Sequence, residues 1–353
     1  MRKTFLMLSL LLSSVIAVAQ GINFQDLTFD QALAKAKEEN KLVFIDSYTD
    51  WCGPCIMMAK EIFPMKEMGD YFNPKFISVK YNAEKGEDGP AVKKRFGITA
   101  YPTFLILDGD GNLIHMFAGG VLGLGFIDKV EESFNPDLAF GNLKQRYETG
   151  ERNTKLVISY IKALQGTFTT DVTPLINEFA NSLSDEELIS EDCLFLFDDH
   201  APLGSKREKF FTENIEKFRL AVDRKTIDNI AKKKYEAYYA RFIGKQRVID
   251  KADIDIKNKQ LANLNLTDAK VLNIYQSAIQ TFISKENADV LFSQIKEFSK
   301  DSDKNELDRL LYFVLPSVGE LWSKEQVGEL ITLINNDRTR DSIIKAVERI
   351  KRG

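Results

Sequence analysis

Two hydrophobic rhythms divide the chain. Up to about residue 132, short apolar runs bounded by turn residues alternate with helical stretches; beyond residue 137, apolar residues recur only at helical spacing. In residues 29–40, Ala32, Leu33 and Ala36 fall on one side and Lys35, Lys37, Glu38 and Glu39 on the other, which predicts a helix. Leu42-Val43-Phe44-Ile45 is an unbroken run of β-formers, the pattern of a buried central strand. Residues 76–81 alternate and predict a second strand with Lys80 at its end. A polar, Gly-containing loop over 84–90 leads to a helix over 91–96, closed by Gly97. Phe104-Leu105-Ile106-Leu107 predicts a third strand, Asp108-Gly109-Asp110-Gly111-Asn112 a turn, and residues 113–117 its antiparallel partner.

After Phe134-Asn135-Pro136 the pattern is helical throughout. Leu143 and Tyr147 mark one helix, Leu156, Val157, Tyr160, Ile161 and Leu164 a second, and Leu175, Ile176, Phe179, Ala180 and Leu183 a third, with Gly150 and Gly166 as stops. Ser184-Asp185-Glu186-Glu187 reads as a capping-box start for the next. Lengths and short polar connections predict an array of antiparallel helix pairs. No crisp repeat period emerges, so a regular tetratricopeptide array is not supported. The expected organisation is an export segment over 1–19, an α/β domain over 20–135 and an all-α helical-array domain over 136–353.

Composition agrees with two domains, because 353 residues exceed one typical core. Charged residues make up 28% with both signs interspersed and a net charge of -4, which does not suggest nucleic-acid binding. Lys232-Lys233-Lys234 precedes Tyr235, Tyr238, Tyr239 and Phe242, but those aromatics fall at i, i+3, i+4 and i+7, a core-facing stripe with the lysines expected on the solvated face. At the N-terminus, Arg2 and Lys3 precede an apolar run over 5–18 broken only by Ser9, Ser13 and Ser14, then Ala17-Val18-Ala19. The run is shorter than the roughly 20 residues of a spanning helix, so it reads as a signal cleaved after Ala19, leaving a soluble periplasmic protein beginning at Gln20. An uncleaved anchor would change its tethering but not its compartment.

The candidate chemistry lies in Trp51-Cys52-Gly53-Pro54-Cys55. Three cysteines are too few for a disulfide scaffold, and a bridge between cysteines separated by two residues closes too small a loop to stabilise much. A structural zinc needs about four ligands, and only His115, His200 and Cys193 could join the pair, widely scattered. The Asp/Gly turn lacks the glycine and closing glutamate of a calcium loop. Redox chemistry remains. Cys52 sits where a strand gives way to a helix, whose N–H groups and dipole stabilise a thiolate; it is expected to be the exposed nucleophile, and Cys55, one turn in and more shielded, the resolving thiol. Asp46 ends an apolar strand, where a carboxylate is costly; it is either a turn initiator or, preferably, a buried proton acceptor for Cys55. Met57, Met58, Met65 and Met68 are either core filler, the preferred reading, or an adaptable docking surface; Cys193, in an apolar run, reads as a buried small hydrophobe.

The ordered set Val43-Phe44-Ile45-Asp46, Trp51-Cys52-Gly53-Pro54-Cys55, Val79-Lys80, Gly97-Ile98-Thr99-Ala100-Tyr101-Pro102-Thr103 and Phe117-Ala118-Gly119-Gly120 resembles the thioredoxin-like family over residues 24–132. The resemblance implies the thioredoxin fold, a central mixed sheet flanked by helices. It implies a cis bond before Pro102, with the Tyr101 backbone turned toward Cys52 to pair with an extended substrate segment. It implies that Asp46 is the buried acid and Lys80 its partner, tuning proton transfer at Cys55, and that Trp51, Gly53, Pro54, Tyr101 and Pro102 shape the substrate site. Gly-Pro between the cysteines resembles the reducing members, whose potentials lie near about -270 mV. The stretch after Cys55 resembles the exported thioredoxin-like oxidoreductases of bacteria.

The expected activity is therefore that of an exported thiol–disulfide oxidoreductase, reducing or isomerising client disulfides with no cofactor beyond the Cys52–Cys55 disulfide. Its electrons would come from a partner, such as a membrane thiol carrier, since no NADPH or flavin fingerprint is present. The helical domain would select clients. A different reading makes the helical array the working, partner-binding part and the redox domain its accessory. A cytochrome-maturation reductase is weakened by the absence of an acidic residue between the cysteines.

Overall fold

The computed structural model describes residues 21–242 and 250–352; the expected signal over 1–19 lies outside them. The chain forms two compact units, dividing between Ser182 and Leu183. In the first, helix α1 (Phe29–Glu39) is opened by a reciprocal capping box between Thr28 and Gln31 and ends on Asn40 in a left-handed conformation, φ 51°. Strand β1 (Leu42–Tyr48) follows, then α2 (Gly53–Met57), a π-turn over Met58–Ile62, α3 (Lys66–Lys75) and β2 (Phe76–Asn82). Helix α4 (Asp88–Phe96), β3 (Thr103–Leu107), β4 (Leu113–Ala118) and α5 (Gly125–Glu131) complete the expected α/β region. The sheet order is β2-β1-β3-β4, with β1 parallel to β2 and antiparallel to β3, and β4 antiparallel to β3.

Strand alternation sorts the sheet's two faces. Val43, Ile45, Ile77, Val79, Leu105 and Leu107 join one core with Ala32 and Ala36 of α1. Phe44, Phe76, Phe104 and Ile106 face the other way, into an aromatic core with Phe72, Phe117 and Phe126. Met58 and Met68 are fully buried there, and Met57 and Met65 pack against them. The methionines are core filler, as preferred, because the irregular space between rings suits an unbranched side chain.

The boundary expected at 135/136 is corrected. Helices α6 (Phe140–Glu148) and α7 (Thr154–Thr167) pack on β4, and Phe140, Leu143, Leu156 and Tyr160 belong to the same core as Val43 and Ile45. They cover a sheet face that would otherwise lie open at its edge strand. Gly141 permits the close approach, since a Cβ there would lie 1.9 Å from the Leu113 carbonyl oxygen. No side chain caps α6 from its own N-cap residue, Ala139; instead the buried His115 of β4 accepts the Phe140 N–H at Nδ1, 3.1 Å. Gly166, expected as a stop, lies inside α7, which ends at Thr167. Helix α8 (Thr173–Ser182) closes the unit.

The second unit is helical among its described residues. Short helices α9 (Asp185–Leu188) and α10 (Phe195–Asp198) lead into α11 (Lys206–Glu213), α12 (Ile215–Ala221) and α13 (Arg224–Ala240). Then come α14 (Lys251–Leu264), α15 (Lys270–Ser284), α16 (Ala288–Phe298), α17 (Lys304–Val318), α18 (Lys324–Thr332) and α19 (Asp337–Arg352). Ser184 and Glu187 form the expected capping box. Helices α13, α15, α17 and α19 pack as a row, each on the next, so the predicted array is present. One arrangement recurs in it. Asp223 caps α13 and Asp228, a turn later, is buried and accepts from the Thr267 N–H and hydroxyl, just before α15. Asp303 caps α17 and Asp308 accepts from the Asn335 and Asn336 N–H groups, just before α19.

Tyr235, Tyr238 and Tyr239 are buried, as their spacing required. The lysines beside them are not all solvated, and that expectation is corrected: Lys232 pairs with Glu306 at 2.8 Å and Lys234 donates to the Asp198 and Ala201 carbonyls. Adjacent helical positions span most of the circumference, so three consecutive lysines cannot share one face. Cys193 is fully buried. Among the described residues no helix is long and apolar enough to cross a membrane.

Candidate active site

The register puts the C-terminal ends of β1, β2 and β4 and the start of β3 at one end of the sheet: Tyr48 opposes Asn82, Ser47 opposes Thr103, and Thr103 opposes Ala118. The loops leaving that end carry the candidate residues. From β1 the chain passes through Trp51 to Cys52, the N-cap of α2, with extended backbone and its Sγ accepting the Cys55 N–H at 3.1 Å. Pro54 occupies the first turn, where a missing N–H costs nothing. Cys52 and Cys55 are joined as a disulfide with Cα atoms 5.3 Å apart. On reduction the Cys52 sulfur is left facing free helix N–H groups, which favour its thiolate. The expected contrast between an exposed Cys52 and a shielded Cys55 is corrected: they are 3% and 5% exposed. Joined as a disulfide, the two sulfurs share one environment.

Asp46 follows Phe44 by two residues in β1, so it points to the face occupied by the aromatic core. It is 2% exposed, with Lys80 and Phe104 as its neighbours across the strands. The Lys80 ammonium lies 3.1 Å from Oδ2, while Oδ1 has no hydrogen-bond partner among the described residues. Burial raises the Asp46 carboxyl above the ordinary carboxylate value; the charge of Lys80 opposes this and does not overcome it. The ammonium itself lies 4.9–5.1 Å from the ring centroids of Phe63, Phe24 and Tyr48. These three ring faces hold Lys80 against Asp46 by cation–π attraction, and sequence reasoning missed them because they come from three separate segments.

Around the dithiol runs an apolar rim. Trp51 is 68% exposed, donates its Nε1–H to Glu84 Oε2 at 3.0 Å and meets Tyr101 edge-on, with ring centroids 6.0 Å apart. Asp50, beside it, is held by Asn82 Nδ2 at 2.9 Å and Lys85 Nζ at 2.5 Å. Glu84 and Lys85, read from sequence only as part of a polar loop, and Asn82, which received no reading, therefore clamp the segment that presents Trp51. The Tyr101–Pro102 bond is cis, and the Pro102 carbonyl accepts the Gly119 N–H at 2.8 Å. Gly119 adopts φ 99°, and a Cβ at Gly120 would lie 3.0 Å from Met57 Cε and 3.3 Å from Pro54 Cβ, so this turn presses against the dithiol helix. Ile56, Leu122 and Leu124 are exposed close by in sequence. Elsewhere, the Asp108 carboxylate accepts the Asp110 and Asn112 N–H groups in the hairpin turn. Among the described residues no group of three or more metal-ligating side chains converges.

Residues 29–130 match the thioredoxin-like domain family. Thioredoxin 1 of Chlorobaculum tepidum is 35% identical over 79 residues, covering 22% of this chain and 71% of that protein. The chain belongs to the thioredoxin family. Thioredoxin-T of Drosophila melanogaster is 34% identical over 90 residues, covering 26% of this chain and 52% of that protein, so the chain spans about half of that relative's length. A solution structure of a Bacteroides thetaiotaomicron chain described as a disulphide-isomerase is 38% identical, covers 34% of this chain and 98% of that one, and superposes with a TM-score of 0.31. The thioredoxin-like match ends before α6, so the two helices that finish the sheet's core lie outside it.

Proposed function

We propose that this protein is an exported thiol–disulfide oxidoreductase acting on disulfide-containing client proteins. The observation that carries the proposal is the Cys52–Cys55 disulfide at the capped start of α2, at the same end of the sheet as buried Asp46. In the reduced form, the Cys52 thiolate attacks one sulfur of a client disulfide. The client S–S bond breaks, one client thiolate leaves, and a mixed disulfide forms. Cys55 gives its proton to the Asp46 carboxylate, and its thiolate attacks the Cys52 sulfur. The second client thiolate leaves, two electrons have passed to the client, and the enzyme holds the disulfide seen here. Lys80 steadies the Asp46 carboxylate while it waits for that proton, and Trp51, Gly53, Pro54, Tyr101 and Pro102 shape the surface over which the client lies.

Gly-Pro between the cysteines supports reduction or isomerisation rather than oxidation. A thiol-carrying partner at the membrane would return the enzyme to the dithiol. The helical unit would select or hold clients, and the signal over 1–19 would send the chain to the periplasm. The test is reduction of insulin by dithiothreitol. Wild type accelerates it and Cys52→Ser does not; equal rates would sink the proposal. Recovery from the periplasm of a chain beginning at Gln20 tests export.

A further inference from the structure

Helix α7 ends in an unusual way. Its last cap, Phe168, takes a left-handed backbone, φ 54° and ψ 19°, with its N–H on the Gln165 carbonyl. Glycine is the residue that adopts this conformation without cost; a bulky aromatic seldom does. Burial of the ring does not offset that cost, since Phe168 is 64% exposed. The turn beneath it is fixed: Thr167 is fully buried, donates to the Leu164 carbonyl at 2.7 Å and shares a 2.8 Å hydrogen bond with Thr169. A rigid turn thus holds an aromatic ring in solvent.

The position of that turn gives the ring a use. The Thr99 hydroxyl donates to the Phe168 carbonyl at 2.6 Å. Thr99 stands two residues before Tyr101, which is at most about 7 Å of chain. Tyr101 meets Trp51 edge-on and precedes the cis proline. Leu164 and Leu175, on either side of Phe168 in sequence, pack against the same core as Tyr101. The turn that carries Phe168 is thus tied through its backbone carbonyl to the loop that carries Tyr101, and it lies beyond residues 29–130 of the family match.

We propose that Phe168 is a specificity-determining residue, the outer wall of the client groove on the side of Pro102. Its occupant is an extended segment of a client protein, and the ring receives an apolar or aromatic side chain near the attacked half-cystine. This rests on the redox reading of the dithiol. In an extended segment, side chains two apart share a face and lie about 6.7 Å from one another. In the proposed pose, a client residue two positions beyond the one opposite Tyr101 falls over Thr99, whose hydroxyl holds the turn that carries Phe168.

The experiment uses the full chain and two fluorescent peptide disulfides identical but for Phe or Ser two residues from the cysteine. A small aromatic disulfide with no flanking chain serves as a third substrate. Wild type is expected to prefer the Phe peptide by about tenfold in kcat/KM, the size of one well-placed aromatic anchor. In Phe168→Gly the preference collapses toward unity through KM, with kcat unchanged, while the fold is retained because glycine suits the left-handed turn. Thr99→Val, which releases the turn from the active-site loop, weakens the preference in the same direction. A preference that survives Phe168→Gly overturns the proposal, as does an equal loss on all three substrates, which would make the ring a support of the fold. Failure of wild type on the small disulfide would instead remove the redox reading itself.

Discussion

Asp46→Asn isolates the cost of burying a carboxyl group toward the dithiol end of the sheet. Lys80 stands 3.1 Å from Asp46 Oδ2, an attraction of roughly 5 kcal/mol at an effective dielectric near 20. Against it stands a desolvation penalty of several kcal/mol for each buried ion, and Oδ1 has no donor to offset its share. Burial wins, so the folded carboxyl holds its proton above the ordinary value of 3.8. The unfolded chain therefore releases this proton first as pH rises. The group's contribution to stability is greatest below about pH 4 and falls through the window between 3.8 and the raised folded value, by about 1.4 kcal/mol for each pH unit the window spans. Above that window it is constant. Asparagine has no proton to lose, so its stability relative to wild type should climb across the same window and then level off. The assay is urea unfolding of oxidised wild type and D46N from about pH 3 to 9, followed by the fluorescence of Trp51 in the first unit. Parallel stability curves throughout would refute the reasoning. In turnover, D46N should accumulate the mixed disulfide, since Cys55 loses its proton acceptor.

Three further outcomes follow from buried contacts. His115 is pushed down to about 4 by burial, so the unfolded chain takes up the proton first as pH falls. Its stabilisation is complete above about pH 6.5, and roughly 3 kcal/mol is lost on descending to about 4; His115→Asn, which can still accept the Phe140 N–H, should lack that slope in urea midpoints compared at about pH 4 and 7. Gly141→Ala drives a methyl into the Leu113 backbone and should cost about 3 kcal/mol or prise α6 from β4, lowering the thermal midpoint of the first unit. In the second unit, Arg219→Met strands buried Asp228, now held by Arg219 Nε at 2.8 Å, and should cost about 3–5 kcal/mol, with much of the loss restored by adding Asp228→Asn. A double variant no more stable than the single one would show that the ion pair is not the source.

Local patterns carried much of the fold. β1 was expected over 42–45 and runs on to Tyr48, because pairing with both β2 and β3 sustains Asp46 and Ser47 in the sheet despite their polarity. α4 begins at Asp88, inside the stretch read as loop, where Gly89 lets the first turn pack on the Asn82 carbonyl, 1.7 Å from where a Cβ would stand. The capping boxes at Thr28 and Ser184 involve residues three apart; Ser184's could be read directly from the chain. The recurring Asp pairs, Asp223 with Asp228 and Asp303 with Asp308, were also present in the sequence, 80 positions apart. They carried no signal without the knowledge that each second Asp receives N–H groups from a distant loop.

The linear order of residues determined where most strands and helices lie, that the two nearby thiols suit redox chemistry, and that an acid and a lysine lie late in two of the strands. These are properties of spacing, and spacing survives in the unfolded chain. Tertiary structure alone decided what covers each apolar face. It assigned α6 and α7 to the sheet, buried both sulfurs alike, caged Lys80 among Phe24, Tyr48 and Phe63, and set Phe168 beside Thr99. An amphipathic pattern states that a face must be buried; only the packing of whole elements selects the surface that buries it.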